Sequence, residues 1–378
     1  MNKRLLHKLR SVAPATSAAI FFAVVLRNPV VAAEAAAQPA ATVAPGQFWG
    51  EIDYLAWTVK GDALPALVTT SPAGTPRAQA GVLGAPGTTV LFGNSTVNDG
   101  WRSGGRLQAG YWFDGQRETG IEASFFDLES ASTSFNASSS GNPILARPFL
   151  NASTNRQDSL LVAFPGFVSG SVSASESSEL LGAGALFRQK VANWGGARFD
   201  ALVGYRYLRA ADRLEISGGG ASDSFHAVSN FHGIDLGLAG TFRNGPWILD
   251  WRGKFALGAN FNDSQIGGST AIGGVTSSGG FLALSSNSGK FSQTRFAVVP
   301  ALALKVGYEI APQWQVSVGY DLIYWTSVQR AGGLVDTTLN PNLLPPGVPG
   351  ASPQRPQPRF DTSSLLAQGL SVGLKHEF

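Results

Sequence analysis

Ten segments of alternating character, joined by connections that are in turn very short and very long, constrain this chain more than any other feature. They run over residues 48–58, 101–113, 118–128, 177–188, 197–207, 232–242, 247–261, 295–308, 314–325 and 363–378. In nine of them apolar side chains recur at every second position, which places them on one face of a strand; residues 177–188 read as a weaker, Gly-containing strand. Each is close to the ~9–11 residues that cross a bilayer obliquely. Four connections are short (114–117, 189–196, 243–245, 309–312) and five are long and rich in Gly, Ser, Thr and Pro (59–100, 130–176, 208–231, 262–294, 327–362). A soluble sandwich has no reason to alternate in this way. A membrane barrel with short periplasmic turns and long external loops does.

The expected fold class is therefore all-β: a transmembrane antiparallel up-and-down β-barrel of about ten strands, with long external loops and short periplasmic turns. Twelve strands is the second choice, because 88–92 (TTVLF) and 160–164 (LLVAF) also read as short strands. No run of ~18 apolar residues follows the N-terminal region, which argues against helical spans. The chain ends on SSLLAQGLSVGLKHEF, where Leu370, Val372, Leu374 and Phe378 share one face. A terminal strand that closes on an aromatic residue is expected to act as an outer-membrane sorting signal.

Residues 1–33 pair a basic start (KRLLHKLR) with an apolar run and small residues, the pattern of a secretory signal peptide. Residues 34–45 read as a periplasmic linker and 46–378 as the barrel domain. Five of the 28 basic residues lie in the first 27 positions; the remaining 23 face 25 acids, so the mature chain offers no reason to expect a nucleic-acid partner.

Several aromatic residues near strand ends, Trp49, Trp57, Tyr111, Trp112, Trp247, Trp314, Tyr324 and Trp325, suggest interfacial girdles. The faces opposite the apolar stripes carry Arg102, Arg106, Gln108, Glu122, Arg198, Asp200, Arg206, Asp250, Arg252, Lys254, Asp321 and Lys375, the candidate lumen lining. In a narrow barrel such charges pair across strands and fill the interior; in a wider one they tune selectivity. At ten strands a mostly filled or very narrow interior is expected.

No catalytic, cofactor or metal site is expected. His226, His232 and His376 are the mature imidazoles; His232 with Asp235 and a nearby Ser would make a hydrolytic set only if they converge. Loop acids such as Asp62 and Asp99 read as solvated, and the Pro-dense residues 341–358 (PNLLPPGVPGASPQRPQP) as an extended surface loop.

WGEIDYLAW, LPALVTTSP, TTVLFG, GWRSGGRLQAGYWFD, GIEASFF, GNPILARPF, DSLLVAFPGFVSGSVS, LVGYRYLR, NFHGIDLG, RFAVVPALALKVGY, VSVGYDLIYW and the closing AQGL follow in this order. Together they resemble the beta-barrel porin-7 (BBP7) family of bacterial outer-membrane proteins. Val191-Ala192-Asn193-Trp194 stands where many relatives carry cysteines, so no disulfide is expected. The resemblance implies the outer membrane of a Gram-negative-type envelope, with outer-membrane lipid and the barrel-assembly machinery as partners. It also implies a porin-like passive diffusion channel for small solutes or ions. The alternative is a non-conducting envelope-structural or surface-interaction barrel that displays its loops.

Overall fold

The computed structural model describes residues 47–348 and 350–378. The expected signal peptide and linker lie outside the described residues. Ten strands close into one antiparallel barrel: β1 (Phe48–Val59), β2 (Trp101–Trp112), β3 (Thr119–Ser139), β4 (Gly170–Trp194), β5 (Ala197–Gly218), β6 (Ala221–Asn244), β7 (Trp247–Ile272), β8 (Gly289–Ala311), β9 (Trp314–Gln329) and β10 (Thr362–Glu377). Each pairs with its neighbours in sequence, and β10 returns to β1 with Trp49 opposite Glu377 and Val59 opposite Ala367. Closure leaves the barrel no unpaired edge. Phe378 completes it: its N–H donates to the Phe48 carbonyl at 2.8 Å, and the two rings lie 5.2 Å apart.

The lipid face follows from the alternation. Ile52, Leu107, Ile234, Leu302, Val318 and Leu370 all point outward, with Ile234 62% exposed. In water such a band would drive aggregation; against acyl chains it is the solvated surface. Phe48, Tyr111, Trp247 and Trp314 crowd its periplasmic rim, and Tyr54, Trp101, Tyr205 and Phe296 its outer rim. Trp49, Trp57, Trp112 and Trp325, expected in the girdles, are instead buried inside the barrel. Each is flanked by a neighbour of opposite parity, and the two faces receive one residue each.

Strands β3 to β8 are 21–26 residues long, about twice what a bilayer needs. Above the lipid belt their outward residues become polar: Asp127, Glu129, Ser132, Ser134, Glu179 and the exposed Arg213–Glu215 pair. Much of what reads as external loop is thus strand. Residues 208–231 form one continuous hairpin turned by Gly219 and Gly220, both at positive φ (66° and 79°), as a two-residue hairpin turn demands. The 88–92 and 160–164 pieces are not membrane strands. Thr89–Phe92 and Arg156–Ala163 belong to a five-stranded external sheet with Val68–Ser71, Ile144–Asn151 and Thr338–Leu339. This sheet, with the Asp62–Leu64 and Ser95–Val97 pair, makes a folded head.

The head has its own apolar core, including Leu67, Leu145, Phe149, Phe225, Phe281 and Leu339. Part of the Pro-dense segment, expected to be an extended surface loop, folds onto it: Leu343 and Leu344 pack against this core and Pro356 is buried.

Close strand packing fixes several glycines. A Cβ on Gly258 in β7 would meet the His232 carbonyl oxygen at 2.0 Å and Gly233 Cα at 2.5 Å. Gly258→Ala is expected to cost about 1–3 kcal/mol through backbone displacement, read as a lower urea midpoint of the refolded barrel. An unchanged midpoint would show that the β6–β7 pair yields freely there.

Candidate functional site

The barrel interior is layered. In the periplasmic half, inward charges meet across strands. Lys305 Nζ donates to Glu51 at 2.6 Å and to Asp53 at 2.7 Å. Arg106 bridges Asp53 (Nε–Oδ2, 2.8 Å) and Asp321 (Nη1–Oδ1, 2.8 Å), and Gln108 donates to Asp53 at 3.1 Å. Arg252 grips both oxygens of Glu122 at 2.7 and 3.2 Å. Arg188 and Arg198 converge on Asp200 at 2.6 and 2.7 Å; Arg206 and Lys254 share Asp235 at 2.8 and 3.2 Å. Thr241 donates to Asp250 at 2.6 Å, and Lys375 to Glu377 at 2.9 Å.

A cavity of about 260 Å³ lies among these groups, running from Arg243 and Glu377 at the rim to Trp57, Phe126 and Leu208 at its inner end. There it meets an apolar layer across the barrel: Trp57, Phe126, Leu180, Leu208, Phe231 and Trp325 are each at most 9% exposed and form one buried cluster. Trp325 is fixed by its Nε1–H, which donates to Asn260 Oδ1 at 2.8 Å. Apolar side chains of this kind offer permeating ions no replacement for their hydration.

Above the apolar layer a second charged cluster sits where barrel and head meet. Arg102, one of the expected lumen residues, belongs to this level, donating to the carbonyls of Ser178 at 3.1 Å and Asn98 at 3.0 Å. Asp62, expected to be solvated, is 3% exposed and accepts the Gly332 N–H at 2.6 Å. Asp212 pairs with Arg330, and Glu176 accepts from Asn98 Nδ2. Burial, with Asp212 and Asp62 nearby, pushes the Glu176 carboxyl up to about 8. Burial also raises Asp62, to about 6.

Sequence reasoning did not single out Asp53, Lys305, Arg188 or Asp235 for the lumen, although Asp53 and Lys305 alternate with outward residues in the same way as those it named. Nothing local connects Asp62, Glu176 and Asp212, which come from three distant segments. The imagined hydrolytic set does not assemble. His232 lies on the outer face against Tyr205, Tyr207 and Phe261, whereas Asp235 is buried in the lumen with Arg206.

Among solved structures, the Escherichia coli outer membrane protease OmpT matches at 11% identity and a TM-score of 0.45, covering 88% of this chain and 97% of its own. A TodX mutant monoaromatic hydrocarbon channel matches at 10% identity and a TM-score of 0.29, with 89% and 91% covered. A Pseudomonas aeruginosa FadL homologue follows at 9% identity and 0.22, with 88% and 90% covered. Likeness at this level carries no functional information. No curated protein matches the sequence. The family model for putative beta barrel porin-7 matches residues 49–378, the whole described barrel and head save two residues at its start. The chain belongs to that family of bacterial outer-membrane β-barrels.

Proposed function

We propose that this protein is a sealed outer-membrane barrel, an envelope-structural or surface-interaction protein that holds a folded head outside the cell, and not an open diffusion channel. The observation that carries this reading is the apolar layer of Trp57, Phe126, Leu180, Leu208, Phe231 and Trp325, on which the polar cavity ends. The paired charges beneath it support the same conclusion. Each salt bridge there neutralises a group that in an open pore would face permeating ions. Porin-like passage of small solutes is the second reading, and the charge-lined cavity favours it; it requires the apolar layer to move. Export by the signal of residues 1–33 and capture of the terminal strand by the assembly machinery, through Leu370, Val372, Leu374 and Phe378, belong to this proposal.

Single-channel recording of the refolded mature protein in a planar bilayer tests it. Folded, inserted protein is expected to be silent at both low and high salt. Steady ohmic steps in most insertions would restore the diffusion-channel reading, with Arg106, Arg252 and Lys254 as the selectivity groups to change next.

A further inference from the structure

The seam between barrel and head holds three carboxylates whose charge is not balanced by what surrounds them. Asp62 follows β1, Glu176 lies on β4 and Asp212 on β5; they are 3%, 0% and 2% exposed. One oxygen from each lies within 4.8 Å of the others. Two arginines serve the same level. Arg330 bonds Asp212 and the Lys60 carbonyl, while Arg102 spends its terminal nitrogens on backbone carbonyls. Three acids against two bases leave one net negative charge in a place without solvent. Glu176 Oε1 and Asp212 Oδ1 are buried and have no hydrogen-bond partner, although their second oxygens are engaged by Asn98 and Arg330. Buried carboxylate oxygens left bare are costly, and the cost falls when a positive centre sits between them.

We propose that Asp62, Glu176 and Asp212 form a site for one hard divalent cation, of the calcium class, that ties the head to the barrel. The donors are all carboxylate oxygens, which suit calcium or magnesium and not zinc or copper. Ca–O bonds of about 2.3–2.6 Å place ligands on opposite sides of the ion close to 4.8 Å apart, so the triangle is of the right size. The charge left over once the ion is bound rests on Arg102, whose two acceptor carbonyls stabilise it. The three ligands come from β4, β5 and the segment entering the head, and Asp62 also holds the Gly332 N–H. An ion here therefore joins the apolar cores on either side of it.

The oxygens hold calcium only when ionised, so the site is tested where carboxylates carry their charge.

The test is calorimetric titration of the chelator-treated, refolded full barrel with CaCl2, in a zwitterionic detergent free of lipopolysaccharide. It is run at about pH 8.5, beside thermal unfolding. One equivalent should bind and raise the unfolding midpoint. Glu176→Gln should weaken binding at least about tenfold, since one ligand charge is gone, yet keep or raise the calcium-free midpoint because one of three crowded buried negative charges is removed. Asp62→Asn should weaken binding in the same direction. No calcium-dependent heat or midpoint shift near pH 8.5, or equal binding by Glu176→Gln, overturns the site.

Discussion

Asp223→Ala is expected to lower the stability of the head by about 3–5 kcal/mol, which places it among the most damaging single changes in this chain. Asp223 stands on the outer part of β6 and is 3% exposed. Its Oδ1 accepts three successive backbone N–H groups, from Phe281 (2.8 Å), Leu282 (2.9 Å) and Ala283 (2.8 Å), and its Oδ2 pairs with Arg147, which is 0% exposed. One carboxylate thus fixes the connection between β7 and β8 and a strand of the external sheet at once. Three convergent N–H dipoles make an anion nest that only an acceptor can fill. Alanine would leave those donors orphaned and the guanidinium of Arg147 buried without its counter-charge. It would also free Phe281, Leu282 and Leu284, which pack in the head core. Asp223→Asn keeps an acceptor oxygen for the nest but turns an NH2 toward Arg147, so it is expected to spare the three N–H bonds, still lose the ion pair, and cost less than alanine. Urea unfolding in detergent, followed by proteolysis within residues 279–288, distinguishes these outcomes. A loss under about 1 kcal/mol with no new cleavage would mean the nest is dispensable.

The barrel was legible because lipid imposes a rule on sequence: wherever a strand crosses acyl chains, alternate side chains have to be apolar, as at Ile234, Leu236 and Leu238. That rule lapses at the membrane surface. Ser132, Ser134 and Asn136 on β3 alternate with Thr133 and Phe135 in a run of small polar residues that reads as loop, although β3 continues through it to Ser139. The strand count therefore survived while strand lengths did not. The misplacement of Trp57 and Trp325 has a related cause. An aromatic ring suits both a girdle and a filled lumen, and Tyr324 followed by Trp325 supplies one of each. The seam cluster was illegible for a topological reason. Asp62, Glu176 and Asp212 meet because the barrel closes and the head folds back over its mouth, which no local spacing records.

Removal of Arg106 is the second change expected to have a large effect, and it discriminates a filled interior from a conducting one. The guanidinium lies between Asp53 and Asp321, bonding the first through Nε at 2.8 Å and the second through both terminal nitrogens at 2.8 and 3.3 Å. Asp53 and Asp321 are 1% and 4% exposed, so neither can turn to bulk water. Arg106→Ala leaves Asp53 with Lys305 and Gln108, but strips Asp321 of its bidentate partner. The expected cost is about 3–5 kcal/mol, most of it the penalty of an uncompensated buried carboxylate. Arg106→Lys should recover only part, because an ammonium cannot reach two carboxylates with the planar fork that holds both. Asp321→Asn in the Arg106→Ala background should recover more, since it removes the charge that was left bare. In a wide, hydrated pore water would solvate Asp321 once Arg106 is gone, and the same substitution would cost less than about 1 kcal/mol while altering ion selectivity. Urea midpoints of the three variants and their bilayer traces, taken together, decide between the two interiors: large losses with silent bilayers mean the charges hold the barrel shut, and small losses with altered conductance mean they line a passage.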